Sequence, residues 1–281
     1  MNMSPPSLVR SVLHPTDFSI ASERAFANAL AIALLGPAAL TLLHVGRKAD
    51  PADWSRFPPV RGTLERWGLL KEGSEKSDVY AKLRVEVKKV ELKGSFTALA
   101  IANFLESYPH DLIVLATEGE AGLSHWFSSS ASESIVRAAR TMALFVPQGA
   151  KRGLVSLDNG EYKLRNILLP VDHAPNCAEA IDLAKRTAGI FGEARVAITL
   201  LHVGSGTAPA LRLEDATAWT MKIEQQSGEV VTEILAAADR LKADMIVMPT
   251  EGAKGLVEML RGSTTQQVLR RAPCPVLAVP A

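Results

Sequence analysis

The chain has 281 residues, enough for roughly two domains. Hydrophobic residues supply 47% and charged residues 22%, which excludes a disordered or low-complexity chain, and 31 basic against 30 acidic side chains leave a net charge of +1. That balance provides no electrostatic footprint for nucleic acid or anionic lipid, and aromatics at 5% provide no stacking platform for single-stranded bases.

In chain order, residues 1–7 lack a basic run followed by an apolar one, so no secretory signal is read and a cytoplasmic protein is expected. A first strand over residues 12–17 closes on Asp17. The most apolar stretch, residues 25–45, is interrupted by Gly36-Pro37 into pieces too short to span a bilayer. It reads as a helix ending at Leu35 and a strand beginning near Ala39, and no membrane partner is expected. Residues 47–77 read as an insertion with Trp54 and then Val60, Leu64 and Trp67 at helical spacing. Such a stripe covers a core in the ordinary case, with a lid or partner-binding helix as the alternative. Leu83, Val85 and Val87 alternate as a third strand, residues 111–119 carry a fourth, and residues 143–147 a last one. Residues 148–163, with Gly149, Gly153 and Asp158-Asn159-Gly160, supply linker and turn chemistry.

The remainder reads the same way. A buried strand over 166–171 leads to a helix over 176–188 opening at an Asn cap, then a β-rich run at 195–203. Residues 220–225 alternate, 228–242 form an amphipathic helix, and 244–248 a buried strand. A helix at 264–271 and a strand at 276–279 finish the chain. The two stretches are copies. Leu42-Leu43-His44-Val45-Gly46 is identical to Leu200-Leu201-His202-Val203-Gly204, and Thr117-Glu118-Gly119 recurs as Thr250-Glu251-Gly252. Offsets of 155 at Asp17/Asp172 and 158 at His44/His202 fall to 133 at Gly119/Gly252, which locates the insertion in the first copy. Strands alternating with helices imply parallel sheets covered on both faces. The expected fold is α/β: two tandem doubly wound five-stranded parallel-sheet domains of Rossmann-like type, at 1–150 and 160–281.

Open α/β sheets bind ligands beyond the carboxyl ends of their strands. Asp17 and Asp172 close the first strands, and the Thr-Glu-Gly loops close the fourth. In the second copy that loop runs to Gly262-Ser263-Thr264 at a helix start, where orphan N–H groups and the helix dipole favour an anion. These residues resemble the universal stress protein family in its tandem form, and the likeness covers nearly the whole chain. The ending Arg271-Ala-Pro-Cys-Pro-Val276 is also typical of that family. Its nucleotide-binding variety spaces three glycines before a serine or threonine. Here Gly252 and Gly262-Ser263 keep the spacing, while Pro249 stands at the first position. Proline has no N–H and a fixed φ, so it is expected to reroute that loop.

The resemblance implies ATP or a related adenine nucleotide, with or without Mg, bound mainly by the second copy. Asp172 and the Val203 backbone would meet adenine, with Pro249, Gly252, Gly262, Ser263 and Thr264 around ribose and phosphates. The first copy departs further, keeping Asp17, Val45 and Gly119 but carrying Ala116 and Ser129-Ser130 in place of two glycines. The family also implies pairing of the two copies through their last strands. Association of two chains is left open, and the implied role is stress adaptation through nucleotide-dependent conformation or partner contacts. The alternative is a nucleotide-free scaffold with degenerate crevices.

Plainer readings stand beside these. Asp17 and Asp172 would serve simply as turn caps. His44 and His202 suit structural hydrogen bonds better than metal, and His173 has no second ligand at useful spacing. Cys177 and Cys274 form no disulfide framework or metal motif, and Cys274 reads as a small buried hydrophobe. No nucleophile elbow, zinc motif or P-loop is present, so a dedicated enzyme is not indicated, with slow nucleotide hydrolysis left open.

Overall fold

The computed structural model describes residues 9–47, 51, 53–94, 97–117, 141–191, 195–250 and 263–281. The first half contributes strands β1 (Ser11–Pro15), β2 (Ala39–Gly46), β3 (Val87–Lys93), β4 (Leu112–Ala116) and β5 (Met142–Val146). Its helices are α1 (Ile20–Leu35), α2 (Val60–Arg66), α3 (Lys76–Leu83) and α4 (Thr97–Ser107). The second half contributes β6 (Asn166–Pro170), β7 (Val196–Val203), β8 (Trp219–Gln226), β9 (Met245–Thr250) and β10 (Val276–Pro280). Its helices are α5 (Ala178–Phe191), α6 (Val230–Arg240) and α7 (Ser263–Arg271).

The ten strands form one sheet in the order β3-β2-β1-β4-β5-β10-β9-β6-β7-β8. Pairing is parallel within each half, which is the doubly wound α/β arrangement expected. The halves join where β5 and β10 run antiparallel, with Phe145 opposite Val276, Leu144 opposite Leu277 and Ala143 opposite Ala278. Leu144 and Leu277 occupy the same repeat position, so a pseudo-twofold axis passes between them.

The central strands are apolar on both faces because both faces are covered. One face sends Val12, Leu42, Val114, Leu169, Leu200 and Val247 into a core with α1 and α5. The other sends Leu13, Leu43, Leu115, Leu168, Leu201 and Met248 against residues of α4, α6 and α7. Ser19 caps α1 by accepting from the Ser22 N–H, and the Gly36 N–H closes its end on the Ile32 carbonyl before Pro37. The outermost strand β3 carries Lys88, Lys89 and Lys93, charges that discourage further strand addition.

Local hydrogen bonds repeat with the sequence. The Asp111 carboxylate accepts from the Arg10 and Ser11 N–H groups at the start of β1, and Asp244 accepts from Arg165 and Asn166 at the start of β6. Three sequence expectations need correction. Leu83 ends α3 rather than starting a strand: Arg84 follows in left-handed geometry at φ 59, and β3 begins only at Val87. Asn176 is not the cap of α5. Its Oδ1 accepts from the Ala178 N–H, but the first helical bond runs from Ile181 to the Cys177 carbonyl. The helix expected from residue 228 opens later, at Val230, because Glu229 takes the cap and accepts from the Val231 and Thr232 N–H groups.

The insertion packs as core cover, with Leu64 wholly buried and Val60 and Trp67 nearly so. The Trp67 Nε1–H donates to the Leu157 carbonyl, and the ring lies flush on Gly160, which turns at φ 70. Arg152 fastens the same connecting segment to the second half, its guanidinium donating to the Ala238 and Ala243 carbonyls at the end of α6.

Candidate nucleotide crevices at the strand ends

Each half opens where its strand order reverses. β1 and β4 pair only at Val12–Leu112 and Leu13–Ile113, and β6 and β9 only at Ile167–Met245 and Leu168–Ile246. Beyond those residues the neighbouring strands part, leaving a crevice at their carboxyl ends, the position at which such sheets take ligands.

In the second half Asp172 follows β6 and Val203 ends the adjacent β7. The Asp172 side chain is 61% exposed, and its Oδ1 accepts from the His173 N–H. His173 turns its Nε2 toward the Thr207 carbonyl at 3.0 Å. Behind them His202 is 4% exposed and its Nδ1 meets the Val171 carbonyl at 3.2 Å. A carbonyl can only accept, so in the neutral ring Nδ1 carries the proton and Nε2 is left as an acceptor. That Nε2 is buried without a hydrogen-bond partner, beneath Gly204, 3.4 Å from where a Cβ would stand. Buried acceptors are nearly always satisfied by protein or water. Among the described residues Asn28 Oδ1, Glu91 Oε2 and Thr187 Oγ1 are likewise unpartnered, and His202 Nε2 is distinguished by its place beside the strand-end Asp172.

Pro249 lies inside β9, buried and paired with Val279, rather than in a loop. The Ile246 N–H and the Thr250 carbonyl both bond toward β10, so the intervening Pro249 nitrogen faces the β6 side. The ladder with β6 has already ended there, so the missing N–H breaks no sheet bond and the extended backbone suits proline's fixed φ. The loop expected to be rerouted begins at residue 251 and lies outside the described residues. Ser263 and Thr264 open α7, whereas Gly252 and Gly262 lie outside the described residues.

The first half builds the same strand ends differently. Asp17 Oδ1 accepts from the Ser19 N–H in a short turn. Between them Phe18 adopts φ 66, an uncommon conformation for a bulky residue, with its N–H held by Thr16 Oγ1. This turns the Phe18 ring onto His44, centroids 4.1 Å apart, and the insertion adds Phe57 at 5.6 Å and the Arg56 guanidinium at 4.5 Å from Phe18. Phe57 is 2% exposed. Side chains of this chain therefore crowd His44 at the end of β2. Deeper in the crevice His14 stands where the second half has Leu169. Its Nδ1 reaches across the parted strands to the Val114 carbonyl, and its Nε2 meets Ser22 Oγ, which donates to Thr16 Oγ1. Complete burial lowers its pKa from 6.5 to about 4. Gly119, Ser129 and Ser130 lie outside the described residues.

The aromatic cluster and the His14 network were not among the sequence candidates. Their signals were a histidine inside an otherwise apolar strand and a phenylalanine where the other copy has His173. Among the described residues no three His, Cys, Asp or Glu side chains converge as a metal cage, and no helix is long and apolar enough to cross a membrane. Burial pushes the Cys274 thiol up to about 12, which suits a packing role.

Two parallel half-sheets joined edge to edge, each with a crevice at the reversal of strand order, define a tandem doubly wound α/β protein. The universal stress protein family model matches residues 9–147 and 210–280, and the chain belongs to that family. Universal stress protein MJ0531 of Methanocaldococcus jannaschii is 32% identical over 144 residues, covering 43% of this chain and 85% of that protein. A universal stress protein of Thermus aquaticus is 46% identical over 52 residues, 18% of this chain and 38% of that one. The crystal structure of a universal stress protein from Archaeoglobus fulgidus superposes over 98% of this chain and 97% of its own, with a TM-score of 0.61 at 19% identity, a likeness of fold.

Proposed function

We propose that this chain is a tandem universal stress protein, built of units at 1–150 and 160–281, that binds an adenine nucleotide such as ATP in its second half. The supporting observation is the orphaned His202 Nε2, a buried acceptor beside Asp172. An adenine amino group is a donor of the right kind, and the Asp172 carboxylate accepts a second such proton or a ribose hydroxyl. The Val203 backbone would contact the base, with Pro249 forming the neighbouring wall. The N–H groups of Ser263 and Thr264 at the start of α7 suit phosphate, with Gly252 and Gly262 allowing close approach. Magnesium, where it accompanies the phosphates, would be held by them and by water, as this ion commonly is.

The first half fits the scaffold reading, since Phe18, Arg56 and Phe57 crowd His44 at its strand ends. Nucleotide occupancy in the second half would then alter conformation or partner contacts in the cytoplasm during stress. Isothermal titration with ATP tests the assignment. One site per chain is expected, abolished by Asp172→Ala and unaffected by Asp17→Ala. No heat at millimolar ATP, or equal loss with both variants, would overturn it. Mass spectrometry of gently released material from the purified chain gives an independent check for an adenine compound.

A further inference from the structure

The insertion builds a second concavity on the far side of Phe57 from His44. A hollow of about 950 Å³ opens between α2, α3 and β3, in the size range of small-molecule sites. Val60, Val79 and Val85 line it with buried apolar surface. Trp54 and Tyr80, 51% and 57% exposed, stand at its walls. Trp54 stacks on Phe57 at 5.5 Å and Arg84 stands 6.0 Å over Tyr80, yet both rings stay half exposed where they line the hollow.

The charged groups are unevenly distributed. Arg61, Lys76 and Lys89 line the hollow against a single carboxylate, Glu86. Arg61 is engaged by Glu65 at 3.6 Å. Among the described residues neither Lys76 nor Lys89 has an ion-pair partner, and Lys89 rests its ammonium 5.4 Å above the Phe57 ring. Partial burial, and then the neighbouring Lys76 charge, pull Lys89 below its ordinary value. An anion between the two ammonium groups would relieve that repulsion.

We propose that this hollow binds a small amphipathic organic anion, its aromatic or aliphatic body between Trp54 and Tyr80 over the valines, its anionic head between Lys76 and Lys89. The ligand class follows from apolar and aromatic walls combined with two uncompensated cations, and is independent of the nucleotide assignment. Anilinonaphthalene sulfonate, a flat aromatic anion, is the probe, titrated by fluorescence against the full-length chain. Saturable binding is expected, displaced by decanoate and not by decanol. A Lys76→Glu, Lys89→Glu double variant should weaken it by about tenfold or more, with an unchanged melting temperature because both side chains lie at the surface. Tyr80→Ala, at another exposed position, should weaken it without altering charge. Binding untouched by the double variant, or displaced equally by decanol, would overturn the proposal by making the hollow merely apolar. Displacement of the probe by ATP would also overturn it, by moving the anion to the crevice.

Discussion

At the carboxyl end of β1, Phe18 folds onto His44, and the insertion adds Arg56 and Phe57. At the matching end of β6, His173 bends aside to Thr207, Asp172 stays exposed, and His202 keeps an acceptor unpaired. The frame beneath is the same in both, down to the aspartate that fastens the opening of each first strand. Duplication therefore conserved the sheet while the two mouths diverged: in one an aromatic and a guanidinium crowd His44, in the other the buried His202 Nε2 stands unpartnered beside an exposed aspartate. The elaborated loop contributes Arg56 and Phe57 to that difference, while Phe18 and His14 belong to the repeat itself.

The contrast can be broken most strongly at Phe57. Truncating this nearly buried ring to alanine should cost about 3–5 kcal/mol in urea unfolding. If the variant then binds a second ATP, the insertion closes the first crevice; unchanged stoichiometry shifts the cause to Phe18 and the Ser129-Ser130 departure.

His14 sharpens the contrast through pH. Its pKa is depressed when folded, so between about 4 and 6.5 the unfolded chain binds more protons and stability falls as pH falls. The contribution is complete above 6.5 and declines by up to about 3 kcal/mol on acidification to 4. His14→Leu, which copies Leu169, should flatten unfolding free energy against pH across that window. An unchanged slope would place the ring outside a dry site.

Gly160→Ala should destabilise by about 1–3 kcal/mol, because the residue needs positive φ and a Cβ would lie 2.4 Å from the Trp67 ring. A loss below that range would mean that the connecting segment yields readily. The smallest stability effect is expected at Asp172, whose replacement by alanine should move the folding free energy by no more than about 0.5 kcal/mol while removing nucleotide binding.

Much of this was legible in the sequence because duplication doubles every signal. The strand beginning at Ala39 and the helix ending at Leu35 follow from apolar runs and their punctuation. Leu83 misled because an apolar residue two positions before Val85 satisfies strand alternation as well as a helix end. Pro249 read as an obstacle because its sequence position looked like loop; only the ladder shows that its nitrogen faces a gap between strands. The crowding at Phe18 was illegible for another reason. Arg56 and Phe57 lie some forty residues from Phe18, and only the folded chain brings them together.

The antiparallel seam of β5 and β10 changes how the molecule responds to dilution. Two independent subunits meeting at such an edge would separate as their concentration fell, but here a tether clamped by Trp67 and Arg152 keeps the local concentration fixed. The melting point should therefore be insensitive to how much protein is in the tube. The remaining free margins of the sheet, β3 and β8, carry charge, so growth into longer ribbons of chains is discouraged from both ends.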